Sequence, residues 1–330
     1  MEKLRLSILS LLFATVMCTS CSKDELGTSS SISIEGLTYE NFPVMDGSTS
    51  TDPLVRMIAC KLFGYSYEWK QEGANLTWSL STKLPEKFVE NNLRCSQTHN
   101  AFINLIDNKV DMIFSARGQS VDEKEYAAQA GVTLIEIPIA LDALIFMNSK
   151  GNAMNPDWDN PITALTHSQI QDIYTGRIKN WSEVGGKDDV IVPYIRNRNS
   201  GSQELMETLV MTEPITDNAE FDYYYDENHV IYQMVPVFSA ISNNRHALGY
   251  TVYYYKENIV REWYGVKTLA INGIYPDKHT IGNRQYPFTA EVYVIIRSDL
   301  DNSSMAFKIC DFLQTSDGKQ VISESGYVPY

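Results

Sequence analysis

Two long apolar segments constrain the fold of this chain more than any other feature. They read PIALDALIFMN at 138–148 and YPFTAEVYVIIRSD at 286–299. Their β-branched and aromatic content predicts buried strands. Because strands so far apart in the sequence can run side by side between two bodies, we expect two lobes joined by a two-strand hinge. The hinge is expected near Pro138–Leu141 and again near Tyr286–Thr289.

Helix and strand signals alternate along the rest of the chain. Apolar residues recur at helical spacing from Pro53 to Phe63 and from Ala101 to Asp107, and the strand-like DMIFSA follows at 111–116. In LTHSQIQDIYTG, Thr166 and Gln169 predict a capping box at the start of a helix. This alternation favours an α/β fold.

Two further segments complete the expected elements. HALGYTVYYY at 246–255 predicts a strand from its aromatic and β-branched residues. The segment 304–327 alternates apolar and polar residues at helical spacing and predicts one or two closing helices, interrupted at Gly318.

The N-terminus has the organisation of an export signal. Lys3 and Arg5 precede an uncharged, largely apolar run over 6–17, which is too short to span about 30 Å of hydrocarbon. Thr19-Ser20-Cys21 resembles the lipobox of a bacterial lipoprotein, although Cys18 stands where Leu is usual; simple cleavage and release is the alternative.

We therefore predict a signal peptide over 1–21, lipidation of Cys21 and a Ser-rich flexible tether over 22–35. The protein would be exported and anchored by lipid to a membrane, facing the periplasm or the cell surface. Cys60, Cys95 and Cys310 would remain, an odd number that allows at most one disulfide; three buried small apolar side chains are the simpler expectation.

Net charge excludes one class of partner. The chain carries a formal charge of −14 and has no run of Lys or Arg, whereas proteins that bind nucleic acids present a basic face. An acidic protein can still bind a small anion through local dipoles and one or two arginines.

Three stretches place small hydroxyl residues just ahead of a helix signal: DGSTSTDPL at 46–54, RCSQTHNAF at 94–102 and RNRNSGSQEL at 196–205. A helix start presents unpaired N–H groups and a positive dipole end, which attract anions. One such start is usually only an N-cap worth about 1 kcal/mol. Arg196 and Arg198 directly before Ser-Gly-Ser set the third stretch apart, and we expect all three to converge on one oxyanion.

Enzyme signatures are weak. The five histidines occur in unrelated contexts, and no G-x-S-x-G or H-x-x-x-H motif is present. A Ser200 nucleophile with His246 as its base stays open as an alternative, and it requires the two side chains to lie within hydrogen-bond reach. Metal-ligand residues do not cluster, so neither a metal nor a cofactor is predicted.

Taken in order, these motifs resemble the phosphate-binding proteins of phosphate ABC transporters. The resemblance extends from about residue 36 to the end, and its most specific parts are G-x-I-x-N-W from Gly176 to Trp181 and R-x-x-x-S-G-S from Arg196 to Ser202. It implies a periplasmic-binding-protein fold of the second type, with mixed sheets, a two-strand hinge and a cleft between α/β lobes. Lobe 1 would comprise 36–138 and 288–330, and lobe 2 would comprise 139–287.

The resemblance also implies a ligand-binding set, drawn from the three loops and from the residue after Ala116. Its members are Ser48, Thr49, Ser50, Ser96, Thr98, Arg117, Arg196, Ser200, Gly201 and Ser202. The chain departs from the family at one place. Many members carry a carboxylate after the strand that matches DMIFSA, where it accepts a hydrogen bond from protonated phosphate and repels sulfate; here the residue is Ala116. Asp46 and Asp142 are candidate replacements, and Arg117 could strengthen binding of a dianion.

The sequence thus predicts a non-enzymatic, extracytoplasmic solute-binding lipoprotein that acts as a monomer. It would bind inorganic phosphate by closure of two lobes and deliver it to an ABC permease. A binder or sensor of another oxyanion on the same fold is the alternative, followed by a secreted serine hydrolase.

Overall fold

The computed structural model describes residues 32–72, 77–151, 154–216, 230–231, 233–261 and 265–330. The predicted signal peptide, Cys21 and the tether up to residue 31 lie outside the described residues. No helix within the described ranges combines the length and the apolar character needed to cross a bilayer.

The strands of the described residues are mostly short, with one long exception. They are β1 (Met45–Gly47), β2 (Tyr67–Glu72), β3 (Thr77–Thr82), β4 (Met112–Ser115), β5 (Leu134–Ser149), β6 (Ala164–Leu165), β7 (Val192–Pro193), β8 (Ile195–Arg196), β9 (Val230–Ile231), β10 (Ala247–Val252), β11 (Val266–Thr268), β12 (Ala270–Ile271), β13 (Thr289–Arg297) and β14 (Val328–Pro329).

The α-helices are distributed between these strands along the chain. They are α1 (Asp52–Phe63), α2 (Glu86–Asn92), α3 (Thr98–Ile106), α4 (Val121–Gln129), α5 (His167–Tyr174), α6 (Gly201–Leu205), α7 (Met234–Ser242), α8 (Lys278–Gly282), α9 (Met305–Gln314) and α10 (Ser316–Ser325). Short 3-10 turns occur at Pro156–Trp158 and Trp181–Val184, and π-helical turns at Met206–Val210 and Tyr255–Val260.

One mixed sheet organises the molecule. Its strand order is β1-β4-β13-β5-β10-β7, and β11 and β14 also pair with β5. The β1–β4 and β10–β7 pairs are parallel, whereas β13 and β10 run antiparallel to β5. The predicted α/β class with mixed sheets is therefore confirmed.

Strand β5 links the two halves of this sheet. Its first part pairs with β13, from Leu134 opposite Arg297 to Ala143 opposite Thr289. Its second part pairs with β10, from Leu144 onward. The side chains of β5 are buried from Ile139 to Ser149, as its apolar sequence predicts. This arrangement is the two-lobed fold, while the lobe boundaries and the hinge positions remain predictions.

Local signals explain several element ends. The Thr166 hydroxyl accepts a hydrogen bond from the Gln169 amide, and the Gln169 side chain caps the Thr166 amide in return, so the predicted capping box is confirmed. The closing segment forms two helices, as expected, but the break lies at Thr315 rather than at Gly318. The Thr315 hydroxyl accepts from the Gly318 amide and caps α10.

The structure corrects two other predictions. The segment 246–255 is a strand only as far as Val252, and the chain then turns into the π-helical stretch Tyr255–Val260, where Tyr255 packs into the core. Aromatic residues are common in strands, but Tyr255 is buried by side-chain packing in a helical turn. Aromatic composition therefore predicted the wrong element here. The cysteines at 60, 95 and 310 are free thiols, two of them buried; Cys95 is exposed, contrary to expectation.

Candidate functional site

The first hydroxyl-rich loop, 46–51, is held in place by its own side chains. The Thr51 hydroxyl donates to the Phe114 carbonyl at 3.0 Å and accepts a hydrogen bond from the Ser48 amide at 3.0 Å. The Ser48 and Ser50 hydroxyls lie 2.9 Å apart. These bonds fix the loop against β4 independently of any ligand.

A buried carboxylate joins this loop to the second one. Asp46 Oδ1 accepts hydrogen bonds from the Gly47 and Ser96 amides, both at 2.8 Å, and Oδ2 accepts one from Asn104 Nδ2 at 2.9 Å. Asp46 is completely buried and does not line the cavity described below. It therefore positions both loops, and the structure does not bring it to the place of the missing family carboxylate.

The second loop enters α3 through a strained residue. Gln97 has φ 72° and ψ 161°, a region that residues other than glycine adopt at a cost of about 1–3 kcal/mol. The Gln97 carbonyl accepts a hydrogen bond from the Ala101 amide at 2.9 Å, which secures the first turn of the helix. Thr98, the first helical residue, faces the third loop: a Cβ atom placed on Gly201 would lie 3.0 Å from Thr98 Oγ1.

The third loop carries a buried arginine. Arg196 Nε donates to the Ile231 carbonyl at 2.8 Å, and Nη1 donates to Ser202 Oγ at 3.0 Å and contacts Met234 Sδ at 2.9 Å. All three partners are neutral. Within the part of the chain that the structure describes, the groups that orient the guanidinium do not compensate its positive charge.

The helix after this loop is capped differently from the prediction. The Ser200 hydroxyl accepts from the Gln203 amide at 3.1 Å, as an N-cap should. The Gln203 side chain does not complete a capping box; its Oε1 accepts from the Arg196 amide at 3.0 Å and from the Tyr250 hydroxyl. Gln203 is therefore used to tie the backbone of Arg196 to β10.

The electrostatics of Arg196 follow from this environment. Burial lowers the pKa of the guanidinium, and the nearby Tyr250 and Tyr255 only partly offset this effect. No ion pair within the described part of the chain involves Arg196. Because a guanidinium keeps its proton in proteins, Arg196 is a buried positive charge without a counter-charge among the described residues, a condition that favours binding of an anion.

The three loops meet around one cavity of about 520 Å³. Of the residues predicted to bind the ligand, the cavity is lined by Ser48, Thr49, Ser50, Thr98, Arg196, Ser200, Gly201 and Ser202. Arg198, which is exposed, and Ala116 line it as well. Convergence of the three loops, expected from sequence, is thus present in the fold.

Two members of the predicted set lie elsewhere. The Ser96 hydroxyl accepts from Asn104 Nδ2 at 3.3 Å, outside the cavity lining. Arg117 is buried and donates to both carboxylate oxygens of Glu123, at 2.7 and 2.8 Å, and to the Gly118 carbonyl at 2.7 Å. Since this carboxylate compensates its charge and it does not line the cavity, the structure gives Arg117 a packing role.

Asp142, the second candidate replacement, is also remote from the cavity lining. Its Oδ1 accepts from the Ala143 amide at 2.8 Å and from the Tyr254 amide at 2.9 Å. Burial raises the pKa of this carboxyl to about 7. Asp142 thus lies where β5 passes from β13 to β10 and stabilises that junction.

The geometry does not support a Ser200–His246 pair. His246 does not line the cavity, and its Nδ1 lies 3.2 Å from Asp189 Oδ1. The histidine that does line the cavity is His99, whose Nδ1 lies 3.0 Å from Glu123 Oε1. Within the described ranges, no group of His, Cys, Asp and Glu could hold a metal ion.

Sequence reasoning missed about half of the cavity lining, which also includes Gln97, His99, Asn100, Asn197, Asn199, Gln233, Met234, Val235, Val252 and Tyr255. The first five lie inside the predicted stretches 94–102 and 196–205, where only the hydroxyl residues, the glycine and the arginines were selected. The other five come from α7 and its approach, from the end of β10 and from the π-helical turn that follows it. No local signal marks them, because only the tertiary fold brings them to the cavity.

Known proteins are similar to this chain in sequence and in fold. Residues 45–313 match the model of the PBP superfamily domain. The phosphate-binding protein PstS of Borreliella burgdorferi is 27% identical over 227 residues, which cover 68% of this chain and 75% of that protein.

Two solved structures have a similar fold. A Clostridium perfringens protein solved with bound phosphate aligns with a TM-score of 0.61 at 21% identity, covering 87% of this chain and 98% of that one. An ABC-type phosphate transport receptor from Vibrio cholerae aligns with a TM-score of 0.57 at 20% identity, covering 86% of this chain and 98% of that one.

Proposed function

This chain belongs to the PBP superfamily, and from that premise we propose that it is the solute-binding component of an ABC transporter with inorganic phosphate as its ligand. It binds the anion and passes it to a permease, and it carries out no chemical step on it. The relative from Borreliella burgdorferi, named as a phosphate-binding protein, supports this ligand.

One observation carries the proposal: Arg196 is buried, its partners among the described residues are all neutral, and it stands where three hydroxyl-bearing loops converge. Nε and Nη1 of Arg196 already donate to protein groups, so Nη2 is the nitrogen that would donate to a tetrahedral oxyanion. The hydroxyls and loop amides supply the remaining donors. A buried charge of this kind favours a desolvated anion because its field is screened less than in water.

Closure of two lobes is the proposed mode of capture. Lobe 1 comprises 36–138 and 288–330, and lobe 2 comprises 139–287. A Cβ atom placed on Gly201 would lie 3.0 Å from Thr98 Oγ1, and this proximity of the second and third loops supports a contact between the lobes on closure. Closure removes water from the anion and strengthens its hydrogen bonds.

The protein is proposed to work outside the cytoplasm as a monomer. Residues 1–21 direct export, Cys21 carries the lipid, and 22–35 tether the folded part to a membrane facing the periplasm or the cell surface. Substituting Cys21→Ser should release the mature protein from the membrane fraction; retention there would contradict the lipid anchor.

A second ligand class is favoured by one feature of the cavity. Ala116 lines it, and no described lining residue is acidic. A site without a carboxylate has no repulsive group against sulfate. Binding of another oxyanion on the same fold is therefore the second candidate function.

Isothermal titration with phosphate and then sulfate tests both candidates. Purified protein freed of endogenous ligand should bind phosphate with micromolar or tighter affinity. Arg196→Ala should weaken binding by at least about a hundredfold, the effect of removing a charge-assisted pair to a buried ligand. Arg177→Ala is the matched control, because Arg177 pairs with Asp172 and Glu213 on the surface and does not line the cavity.

Absence of phosphate binding in the wild type would overturn the proposed ligand. Equal affinity for sulfate would instead move the assignment to the second candidate.

A further inference from the structure

The cavity is much larger than inorganic phosphate requires. Its volume is about 520 Å³, whereas one water takes roughly 30 Å³ and a five-atom anion takes roughly two to three times as much. Most of the cavity therefore remains once an anion sits at Arg196.

Five residues with carboxamide side chains line the cavity. They belong to Gln97, Asn100, Asn197, Asn199 and Gln233. A carboxamide both donates and accepts hydrogen bonds, whereas an ionised phosphate only accepts them. Inorganic phosphate would leave the carboxamide oxygens unused, but the hydroxyl groups of an organic ligand would pair with both ends.

One of these carboxamide oxygens lacks a hydrogen-bond donor among the described residues. Asn197 Oδ1 is buried and accepts no hydrogen bond from any described residue, although Asn197 Nδ2 donates to the Arg198 carbonyl at 3.2 Å. A buried acceptor without a partner is costly. Asn197 lines the cavity, so the hydroxyl of a ligand bound beside it would supply the missing donor.

Part of the cavity lining is apolar. Val235, Val252 and Tyr255 contribute to its lining, and Val252 and Tyr255 are buried. Such a surface suits the C–H groups of a short carbon chain, because contact removes apolar area from water. The cavity thus combines a cationic anion cradle, a set of carboxamides and an apolar wall.

We propose that the site also takes phosphate monoesters of small polyols. The phosphoryl group would occupy the cradle at Arg196, the hydroxyls would pair with the carboxamides, and the carbon chain would lie against Val235 and Tyr255. This inference rests on the proposed function, since it uses the same phosphoryl cradle.

Titration with three probes tests the inference: inorganic phosphate, methyl phosphate and sn-glycerol 3-phosphate. Methyl phosphate is a monoester without hydroxyls, so it isolates their contribution. We expect glycerol 3-phosphate to bind at least as tightly as inorganic phosphate and about tenfold more tightly than methyl phosphate, as two well-placed hydrogen bonds would give.

A cavity-filling variant separates the two parts of the site. Val235→Trp should weaken glycerol 3-phosphate at least about tenfold and leave inorganic phosphate within about twofold. Val190→Trp is the matched control, because Val190 is exposed and outside the lining. Should Val235→Trp fail to fold, Asn197→Leu replaces it and should show the same selective loss.

The outcomes are distinguishable. Tight phosphate binding with glycerol 3-phosphate at least a hundredfold weaker overturns the inference and leaves the proposed function intact. Failure of all three probes overturns the proposed function and the inference together. Selective loss of the ester in Val235→Trp or Asn197→Leu supports the inference.

Discussion

Arg117 and Arg196 are both buried, being 3% and 5% exposed, yet their surroundings differ in charge. Arg117 pairs with both oxygens of the fully buried Glu123. Arg196 is held by a carbonyl, a hydroxyl and a thioether. The charge of Arg117 is balanced by Glu123, whereas the charge of Arg196 has no counter-charge among the described residues and is available to a bound anion.

The difference separates a stabilising arginine from a binding one. Taking a charge out of water costs several kcal/mol unless a partner compensates it. Glu123 compensates Arg117 permanently, so its pair contributes to folding. Arg196 has no such partner within the described residues, so an anion arriving in the cavity gains the interaction that the protein does not make.

The largest expected effect is on the stability contributed by the Arg117 region. Arg117→Met leaves the Glu123 carboxylate buried without its guanidinium, and we expect unfolding free energy to fall by about 3–5 kcal/mol. Urea denaturation measures this loss. Phosphate affinity should stay within about threefold in the folded fraction, because Arg117 does not line the cavity. A variant as stable as the wild type would remove the contrast between the two arginines.

Asp142 differs from both arginines, because this buried carboxyl can become neutral by taking up a proton. It lacks a cationic partner among the described residues, and burial raises its pKa from 3.8 to about 7. The folded protein thus holds this proton at pH values where the unfolded chain has released it. Its contribution to stability is fully present below pH 3.8 and is lost as the pH rises to about 7.

Asp142→Asn should remove this pH dependence. Relative to the wild type, the variant should gain about 2–4 kcal/mol between pH 4 and pH 8, from about 1.4 kcal/mol for each unit of pKa. Chemical denaturation at several pH values gives the difference between the two proteins. Parallel stability curves would show that Asp142 is ionised in the folded protein.

Gly201 tests how closely the two halves must approach Arg196. In Gly201→Ala the new Cβ atom would lie 3.0 Å from Thr98 Oγ1, so closure should be hindered and phosphate affinity should fall about tenfold. Stability should not fall, since alanine favours the helix. The double variant Gly201→Ala/Thr98→Ser keeps the hydroxyl and serves as control. Thr98→Ala alone gives the affinity without this donor, and Gly201→Ala/Thr98→Ala, in which the close contact is gone, should recover to that level. No recovery would mean that the contact between Gly201 and Thr98 is unimportant.

The smallest effect is expected at Arg198, which lines the cavity but is exposed. Arg198→Ala should reduce phosphate affinity only about twofold to fivefold, and less at high salt, because water and ions screen its charge. Titration at low and high ionic strength distinguishes it from a buried cation. A loss as large as that of Arg196→Ala, insensitive to salt, would erase the distinction between buried and exposed arginine.

The sequence predicted the fold well where the signals are local. Thr166 and Gln169 defined a helix start through their own hydrogen bonds, and the apolar run at 138–148 identified the central part of β5. Tyr253–Tyr255 misled because aromatic residues suit both strands and buried helical turns. Which of the two forms depends on packing against distant residues.

The parts of the candidate site that carry a local sequence signal were predictable. Hydroxyls before a helix, and Arg196 before Ser-Gly-Ser, depend on neighbours in sequence. Arg117 was assigned to the ligand although Ser120-x-x-Glu123 signals a capping box nearby, which holds the carboxylate that pairs with it. The contributions of Val235 and Tyr255 required the tertiary structure, because nothing in their local sequence points to a cavity.

The free energy of unfolding of Arg196→Met, measured with and without phosphate beside the wild type, tests whether Arg196 serves anion binding rather than folding. Without phosphate, the variant should lie within about 2 kcal/mol of the wild type, since the hydrogen bonds that are lost have neutral acceptors and their loss leaves no buried charge unpaired. At a phosphate concentration 100 times the dissociation constant, the wild type should gain about 2.7 kcal/mol and the variant essentially nothing. A variant destabilised by more than about 3 kcal/mol that is still stabilised by phosphate would show that Arg196 serves the fold rather than the anion.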